Sequence, residues 1–252
     1  SAETLIIPGS GNPEYILGVL AKKFNQQQSL HTVVIPTTIG SAGAFREISE
    51  GNASIGRIGR ALNEKERLQG FTYHSLGRDP IVFVGGSGLT VNTISPEQIL
   101  GIYSGQFTNW QELGGKPAPI RAIGRESTDA SYRAIARGME GFNNLKYADA
   151  VKLAHLDSQL LELLDRFSAS FGFLNRSSLF AAKTKLTLLS LNTIEANAEN
   201  LKSGRYPLWT EIGLVYKKKE LTEAGHAFLK FISSPEGLGI LESNGLLVEA
   251  PR

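Results

Sequence analysis

Apolar residues in the first quarter of the chain recur with two different periods. Residues 4–7, 31–35 and 53–56 form short apolar runs, which are typical of strands. Between these runs, residues 14–25 and 42–50 carry apolar side chains every three or four positions, which predicts helices. The order β-α-β-α-β predicts an α/β fold with a mostly parallel sheet flanked by helices.

The same alternation resumes in the middle of the chain. Further strands are predicted at residues 80–84, 120–123, 171–174 and 212–216, and further helices from Ser95, over 132–139, from an Asp157 cap to Phe167, and over 220–232 and 235–244. Breaks near residues 75–80 and 204–211 interrupt the pattern and divide the chain.

Three turns of small residues each open a predicted helix: Pro8–Asn12, Ile39–Gly43 and Arg125–Ser131. The free N–H groups at a helix start and the positive end of the helix dipole favour an anion. The arginine of the third turn adds a planar fork of donors suited to a tetrahedral oxyanion. Each turn alone is also typical of an ordinary N-cap. All three, with Arg57 and Arg60, follow the ends of predicted strands, where α/β sheets bind ligands.

Composition limits the chemistry. The 252 residues have a net charge of +2, with 41% hydrophobic and 20% charged residues, which is typical of a globular protein. So small a charge argues against a nucleic-acid partner. There is no cysteine, and the four histidines show no metal-ligand spacing, so we predict no metal and no cofactor. No serine lies in a nucleophile motif beside a base, so we predict no enzymatic activity.

The segment Ser95–Gly115, SPEQILGIYSGQFTNWQELGG, carries a specific resemblance. It is similar to the segment L-T-x-E-Q-L-x-x-I-F-x-G-x-I-x-N-W-x-x-L-G-G of the periplasmic phosphate-binding proteins of ABC importers. These proteins belong to the type II periplasmic-binding-protein superfamily. Gly40–Gly43, Phe171–Phe173, Tyr206–Leu208 and Phe228–Gly237 match other parts of the family in the same order. The resemblance therefore spans nearly the whole chain.

The resemblance implies a two-lobed clamp. Residues 1–76 and 212–252 would form one lobe, residues 80–206 the other, and residues 77–79 and 207–211 the hinge. It implies a monomer that captures inorganic phosphate, a tetrahedral oxyanion, in the interlobe cleft and delivers it to an ABC permease. The place of action would be the periplasm or the cell exterior, after removal of an export signal; a start at Ser1 without an initiator methionine fits either that removal or a trimmed chain. The alternative is an oxyanion-sensing, signalling or adhesion protein with the same fold.

The family motifs also imply the ligand-binding residues. The resemblance assigns to the ligand Ser10, Gly11 and Asn12 of the first turn, Ser41 with the preceding Gly40 in the second, Arg60 after the third strand, and Arg125, Asp129, Ala130 and Ser131 in the third turn.

Two positions depart from the family pattern. Gly59 stands where a well-known branch has an aspartate that accepts the proton of a protonated phosphate. Asp129 stands where a neutral serine is usual. It either caps the helix or replaces the missing acceptor, and an unprotonated carboxylate facing the ligand would repel an oxyanion. The two interpretations differ in the predicted selectivity for phosphate over sulfate.

Two arginines flank the first of these departures. Arg57 and Arg60 are either cations that attract the ligand or partners of nearby acids such as Glu64 or Glu66. The sequence leaves these alternatives open.

Overall fold

The computed structural model of the chain describes residues 1–249. They form two compact units: residues 1–79 with the described residues from Glu211 onward, and Pro80–Thr210. The sequence predicts lobes of 1–76 with 212–252 and of 80–206, and residues 250–252 of that prediction lie outside the described part. No helix within residues 1–249 combines the length and apolar character that crossing a bilayer requires.

The first unit contains both ends of the described chain. Its elements are β1 (Thr4–Ile6), α1 (Glu14–Gln27), β2 (Thr32–Val34), α2 (Gly40–Ser49), β3 (Ile55–Ile58), α3 (Glu64–Leu68) and the first part of β4 (Thr72–Gly85).

The second unit begins inside β4. Its elements are β5 (Thr93–Ile94), α4 (Pro96–Ser104), a 3₁₀ turn (Trp110–Leu113), β6 (Arg121–Gly124), α5 (Ala130–Gly138), β7 (Lys152–Leu153), α6 (Asp157–Arg166), β8 (Ser170–Asn175), α7 (Arg176–Ala181), β9 (Thr187–Leu191) and α8 (Ala198–Ser203). Strand β10 (Trp209–Tyr216) returns the chain to the first unit, which ends with a 3₁₀ turn (Lys218–Glu220), α9 (Glu223–Ile232) and α10 (Pro235–Ser243).

Helix α1 is amphipathic and packs its apolar side into the core of the first unit. The core also takes Leu5 from β1, Val33 from β2 and Phe228 from α9. The rings of Phe24 and Phe228 meet edge to face, with their centroids 5.3 Å apart. The buried residues of α1 are Ile16, Leu17, Leu20, Ala21 and Phe24. Burying each of the larger ones stabilises the unit by about 1.5–3 kcal/mol.

The first unit contains one parallel and one antiparallel strand pair, and the second unit contains a mixed sheet. Strand β1 pairs in parallel with β2, and β3 pairs antiparallel with β10. In the second unit β6 pairs in parallel with β7 and β8, whereas β4 pairs antiparallel with β8 and β9. The predicted α/β class is confirmed, and the antiparallel pairs are made with β4 and β10, the strands in which the chain passes from one unit to the other.

Strand β3 lies later in the chain than its apolar pattern predicts. The sequence indicates a strand at 53–56 followed by a turn that contains Arg57. The structure extends β3 from Ile55 to Ile58, and all four residues are buried. The prediction was wrong here because an arginine is rare in a fully buried strand position, so the apolar pattern stops before Arg57. Arg57 is therefore a strand residue.

Candidate functional site

The turn after β1 is built on a close approach of two backbones. Gly9 has φ of +143°, and a Cβ atom there would lie 1.9 Å from the carbonyl oxygen of Arg57. The N–H of Ser10 donates to the same oxygen at 3.0 Å. Ser10 and Asn12 are buried polar residues, 4% and 2% exposed. Only glycine fits at position 9, and the turn is thereby fixed against β3.

Helices α1 and α2 begin without a side-chain cap. Among the described residues, neither the side chain of Pro13 before α1 nor that of Ile39 before α2 accepts a hydrogen bond from the first helical amides. Orphan amides at a helix start require another acceptor, such as water or a ligand. The turn of Gly11 keeps the anion-binding capacity that the sequence predicts, whereas the N–H of Gly40 at the start of α2 donates to the hydroxyl of Thr38 at 3.1 Å.

The three turns of the first unit are bonded to one another. The hydroxyl of Thr38 donates to the carbonyl of Gly9 at 2.9 Å. The hydroxyl of Ser41 accepts from the N–H of Gly59 at 3.2 Å. The structure thus brings together the predicted site residues Ser10, Ser41 and Gly59.

Arg57 of β3 and Arg60 of the following turn both form hydrogen bonds with other residues of the first unit. Arg57 is fully buried, and its guanidinium donates to backbone carbonyls. Arg60 forms a two-pronged ion pair with Glu66, with Nη1–Oε1 and Nη2–Oε2 distances of 2.7 and 2.8 Å. The Arg60 hydrogen bond holds the pKa of Glu66 below its usual range, although burial opposes this. Of the two alternatives for Arg60, the structure shows the pairing with Glu66.

In the second unit, Arg125 follows β6 and is only 4% exposed. Its Nη1 atom lies 2.6 Å from Oδ1 of Asp157, and its Nη2 atom 3.1 Å from Oδ2 of Asp129. Within residues 1–249 its Nε–H is buried and has no hydrogen-bond acceptor. Burial by itself lowers the pKa of Arg125, but the two carboxylates outweigh that effect and raise it.

Asp129 is bonded to Arg125 and to the start of α5, where the N–H groups of Tyr132 and Ser131 both donate to its carboxylate. Its Oδ1 atom caps α5 by accepting from the N–H of Tyr132 at 2.9 Å, and its Oδ2 atom pairs with Arg125. The predicted capping contact is therefore present, but the side chain does not turn outward. Burial raises the pKa of Asp129, Arg125 lowers it, and the charge of Asp157 raises it further. Ala130 is the first residue of α5, and Ser131 next to it is fully buried.

Asp157 is a candidate site residue that sequence reasoning missed, because it was interpreted as a helix cap. It is the first residue of α6, which Leu156 precedes as the cap position, and its carboxylate turns to Arg125. The hydroxyl of Ser178 lies 3.5 Å from Oδ2 of Asp157 and donates to Oδ1 of Asn175 at 2.8 Å. A buried polar network thus stands behind the ion pair.

Strand order explains why these residues meet. Strands β7 and β8 flank β6 in parallel, so the carboxyl ends of the three strands share one edge of the sheet. Arg125, Asp157 and Ser178 follow β6, β7 and β8 respectively. The spacing of 32 residues between Arg125 and Asp157 is invisible to motif analysis.

The second unit offers a helix start, the hydroxyl-bearing Ser131 and the buried Arg125, which suit an oxyanion. Among residues 1–249, no group of His, Asp and Glu side chains could hold a metal ion. Two carboxylates beside one guanidinium make the Arg125 cluster net negative, so an anion that carries a proton fits it better than a fully ionised one.

The comparisons with known proteins agree with one another and cover most of the chain. A family model described as a PBP superfamily domain matches residues 1–236. The phosphate-binding protein PstS of Bacillus subtilis is 24% identical over 238 residues, which cover 92% of this chain and 76% of that protein. The phosphate-binding protein PstS of Borreliella burgdorferi is 22% identical over 250 residues, which cover 96% and 88%.

A solved structure is similar over nearly its full length. It is a candidate phosphate ABC transporter substrate-binding protein from Clostridium perfringens, crystallised with bound phosphate. The TM-score is 0.80 at 25% identity, and the match covers 96% of this chain and 98% of that chain.

Proposed function

Because this chain belongs to the PBP superfamily, we propose that it is an extracytoplasmic solute-binding protein that captures inorganic phosphate for ABC-type import. The family agrees with the resemblance of the Ser95–Gly115 segment. The proteins compared above are named for phosphate binding, and one of them was crystallised with phosphate. We infer the ligand and the transport role of this chain from that similarity and from its own residues.

The observation that carries the proposal is the Nε–H of Arg125. It is buried and has no acceptor within residues 1–249, and an unsatisfied buried donor costs about 1–3 kcal/mol. An oxyanion at this edge of the sheet would supply the acceptor. The start of α5 adds the positive end of the helix dipole at Ala130 and the buried side chain of Ser131 beside it.

The first unit supplies a second group of ligands. The starts of α1 and α2 lack side-chain caps among the described residues, and Ser10, Gly11, Asn12 and Ser41 lie in the turns before or at these starts. We propose that these residues contact phosphate through hydroxyl and amide donors. Arg60 contributes less, since Glu66 already occupies its two terminal nitrogens.

Asp129 favours phosphate over sulfate in this proposal. Inorganic phosphate keeps a proton near neutral pH, whereas sulfate is fully ionised. The Asp129 carboxylate has about four acceptor sites, and the N–H groups of Tyr132 and Ser131 and the Arg125 guanidinium use some of them, so it can still accept the proton of phosphate. Asp129 thereby takes the acceptor role for which Gly59 has no side chain.

We further propose that the protein acts as a monomer in the periplasm or outside the cell, delivers its ligand to an ABC permease and has no enzymatic activity. A receptor for imported phosphate meets its ligand outside the cytoplasmic membrane. The name of the Clostridium perfringens relative, a transporter substrate-binding protein, supports the same role.

Calorimetric titration of the purified protein with phosphate, sulfate, arsenate and molybdate tests the proposal. We expect tight binding of phosphate and arsenate, which carry protons, and weaker binding of sulfate and molybdate. Binding of sulfate or molybdate in preference to phosphate would contradict the phosphate assignment. The protein would then still be a receptor for an oxyanion, but not for phosphate. Absence of binding by all four would overturn the proposed function and favour a signalling or adhesion role.

A further inference from the structure

Arg57 connects three backbone segments of the first unit. Its Nε atom donates to the carbonyl of Ser10 at 2.7 Å, its Nη1 atom to that of Ile7 at 2.6 Å, and its Nη2 atom to that of Pro36 at 2.6 Å. Oε1 of Glu14 lies 3.4 Å from Nη2. Arg57 is 0% exposed, so no ligand touches it.

These hydrogen bonds set the direction of two N–H groups. In a trans peptide group the C=O and the N–H of the following residue point in opposite directions. The carbonyl of Ser10 points at Arg57, so the N–H of Gly11 points away from it. The carbonyl of Pro36 fixes the N–H of Thr37 in the same way. Within residues 1–249, neither N–H has an acceptor.

The guanidinium also places a positive charge behind these amides. Burial lowers the pKa of Arg57 to about 10, and Glu14 opposes the shift, so the side chain is charged at neutral pH. The single carboxylate contact, at 3.4 Å with Glu14, is longer than the three bonds to carbonyls. A charge in a poorly solvated position acts over several ångströms. It therefore strengthens the amides as donors to an anion.

We propose that Arg57 is a positioning residue of the phosphate site: it aligns the Gly11 and Thr37 amides towards the ligand and adds positive charge without contacting it. The inference rests on the proposed function. It differs from both sequence-based alternatives, a cation in contact with the ligand and a partner of a surface acid. The turn before α1 and the segment before α2 would then be one anion-binding surface, held together by a single buried side chain.

Two variants separate the charge from the hydrogen-bonding fork. Arg57→Lys keeps the charge and loses the planar fork, whereas Arg57→Gln loses both. We expect phosphate affinity to fall at least about tenfold in Arg57→Lys and further in Arg57→Gln. Arg46→Gln, an exposed arginine of α2, is the matched control and should change affinity less than about twofold.

Glu14→Gln provides a test that leaves the fork of Arg57 intact. Removing the partial counter-charge should tighten phosphate binding by about two- to fivefold at low salt. This variant keeps the inference testable if Arg57→Gln does not fold. Unchanged or weaker binding in Glu14→Gln would contradict the contribution of the Arg57 charge.

Amide hydrogen exchange on the ligand-free protein tests the positioning without a ligand. In Arg57→Lys we expect faster exchange of the amides in residues 7–12 and 36–41, and no change in the second unit. Phosphate affinity within about twofold of the wild type in both Arg57 variants would overturn the inference. If the wild type binds no phosphate, the proposed function fails, and unchanged exchange in Arg57→Lys would then refute the positioning role separately.

Discussion

The Nη1 atom of Arg125 lies 2.6 Å from Oδ1 of Asp157, and each of these residues is 4% exposed. A buried ion pair at this distance fixes the plane of the guanidinium. It also uses donor capacity that a ligand would otherwise take, so the free Nε–H becomes the important donor of Arg125. Asp157 therefore orients Arg125, which the sequence predicts to be the main residue in contact with the oxyanion.

Replacing Arg125 with alanine should weaken phosphate binding by at least about tenfold, because one charge-assisted hydrogen bond contributes about 1.5–3 kcal/mol. Asp157 then stays buried without its counter-ion, so the free energy of unfolding should fall by about 3 kcal/mol. Calorimetry and denaturant unfolding measure the two effects. Arg133→Ala, at an exposed arginine of α5, is the control. A folded Arg125→Ala protein with wild-type affinity would remove Arg125 from the site.

Much of this arrangement was predictable because it is local in sequence. The helix starts, the turns of small residues and Arg125 itself follow from spacing and capping preferences. The partner of Arg125 was not predictable in this way. Asp157 meets Arg125 only because β6 and β7 are parallel neighbours, and strand order is not contained in a local pattern.

Arg57 and β3 show a second limit of sequence reasoning. The sequence pattern ends the strand before the polar side chain of Arg57, whereas the strand continues to Ile58. The burial of Arg57 is compatible with stability only because three carbonyls and Glu14 surround the guanidinium. Those carbonyls come from segments distant in sequence, so only the folded structure reveals that the position accepts an arginine.

Asp157 can be tested with a pair of variants that differ in hydrogen-bonding ability. Asp157→Asn keeps an oxygen that accepts from Arg125, whereas Asp157→Ala removes it. We expect phosphate binding within about threefold of the wild type in Asp157→Asn and at least about tenfold weaker in Asp157→Ala. Asp165→Ala, an exposed acid of α6, is the control. Equal losses in both Asp157 variants would show that its charge, not its orientation of Arg125, is what matters.

Arg60 should contribute little to affinity. Its two terminal nitrogens already bind Glu66, so Arg60→Ala should weaken phosphate binding by less than about threefold. A tenfold loss would show instead that Arg60 turns to the ligand.

The same pair predicts a pH dependence of stability. Arg60 holds the pKa of Glu66 below its usual value, so the pair stabilises the fold above that usual value. The contribution is lost as pH falls through the lowered pKa. Unfolding measurements on the wild type and Glu66→Gln should therefore converge in acid and differ near neutral pH. A difference that is independent of pH would contradict the assignment.

The pKa of Asp129 is shifted in the opposite direction from that of Glu66. Burial raises it, so the folded state favours the protonated carboxyl, and this stability is present at low pH and lost as pH rises through the raised pKa. Near neutral pH the ionised side chain therefore opposes folding. Asn caps a helix almost as well as Asp, so Asp129→Asn should leave the fold intact. The variant is suitable for a binding experiment.

Asp129→Asn decides how the protein distinguishes phosphate from sulfate. If Asp129 accepts a hydrogen bond from protonated phosphate, the wild type should prefer phosphate, and the variant should lose at least about tenfold of that preference. The amide donates to either anion and removes the repulsion that sulfate meets, so sulfate affinity should rise. If Asp129 only caps α5 and pairs with Arg125, the wild type should discriminate poorly and the variant should match it. Parallel titrations of both proteins with both anions separate these cases. Strong phosphate selectivity that survives the substitution would refute the acceptor role, and the acceptor would then have to be a backbone carbonyl.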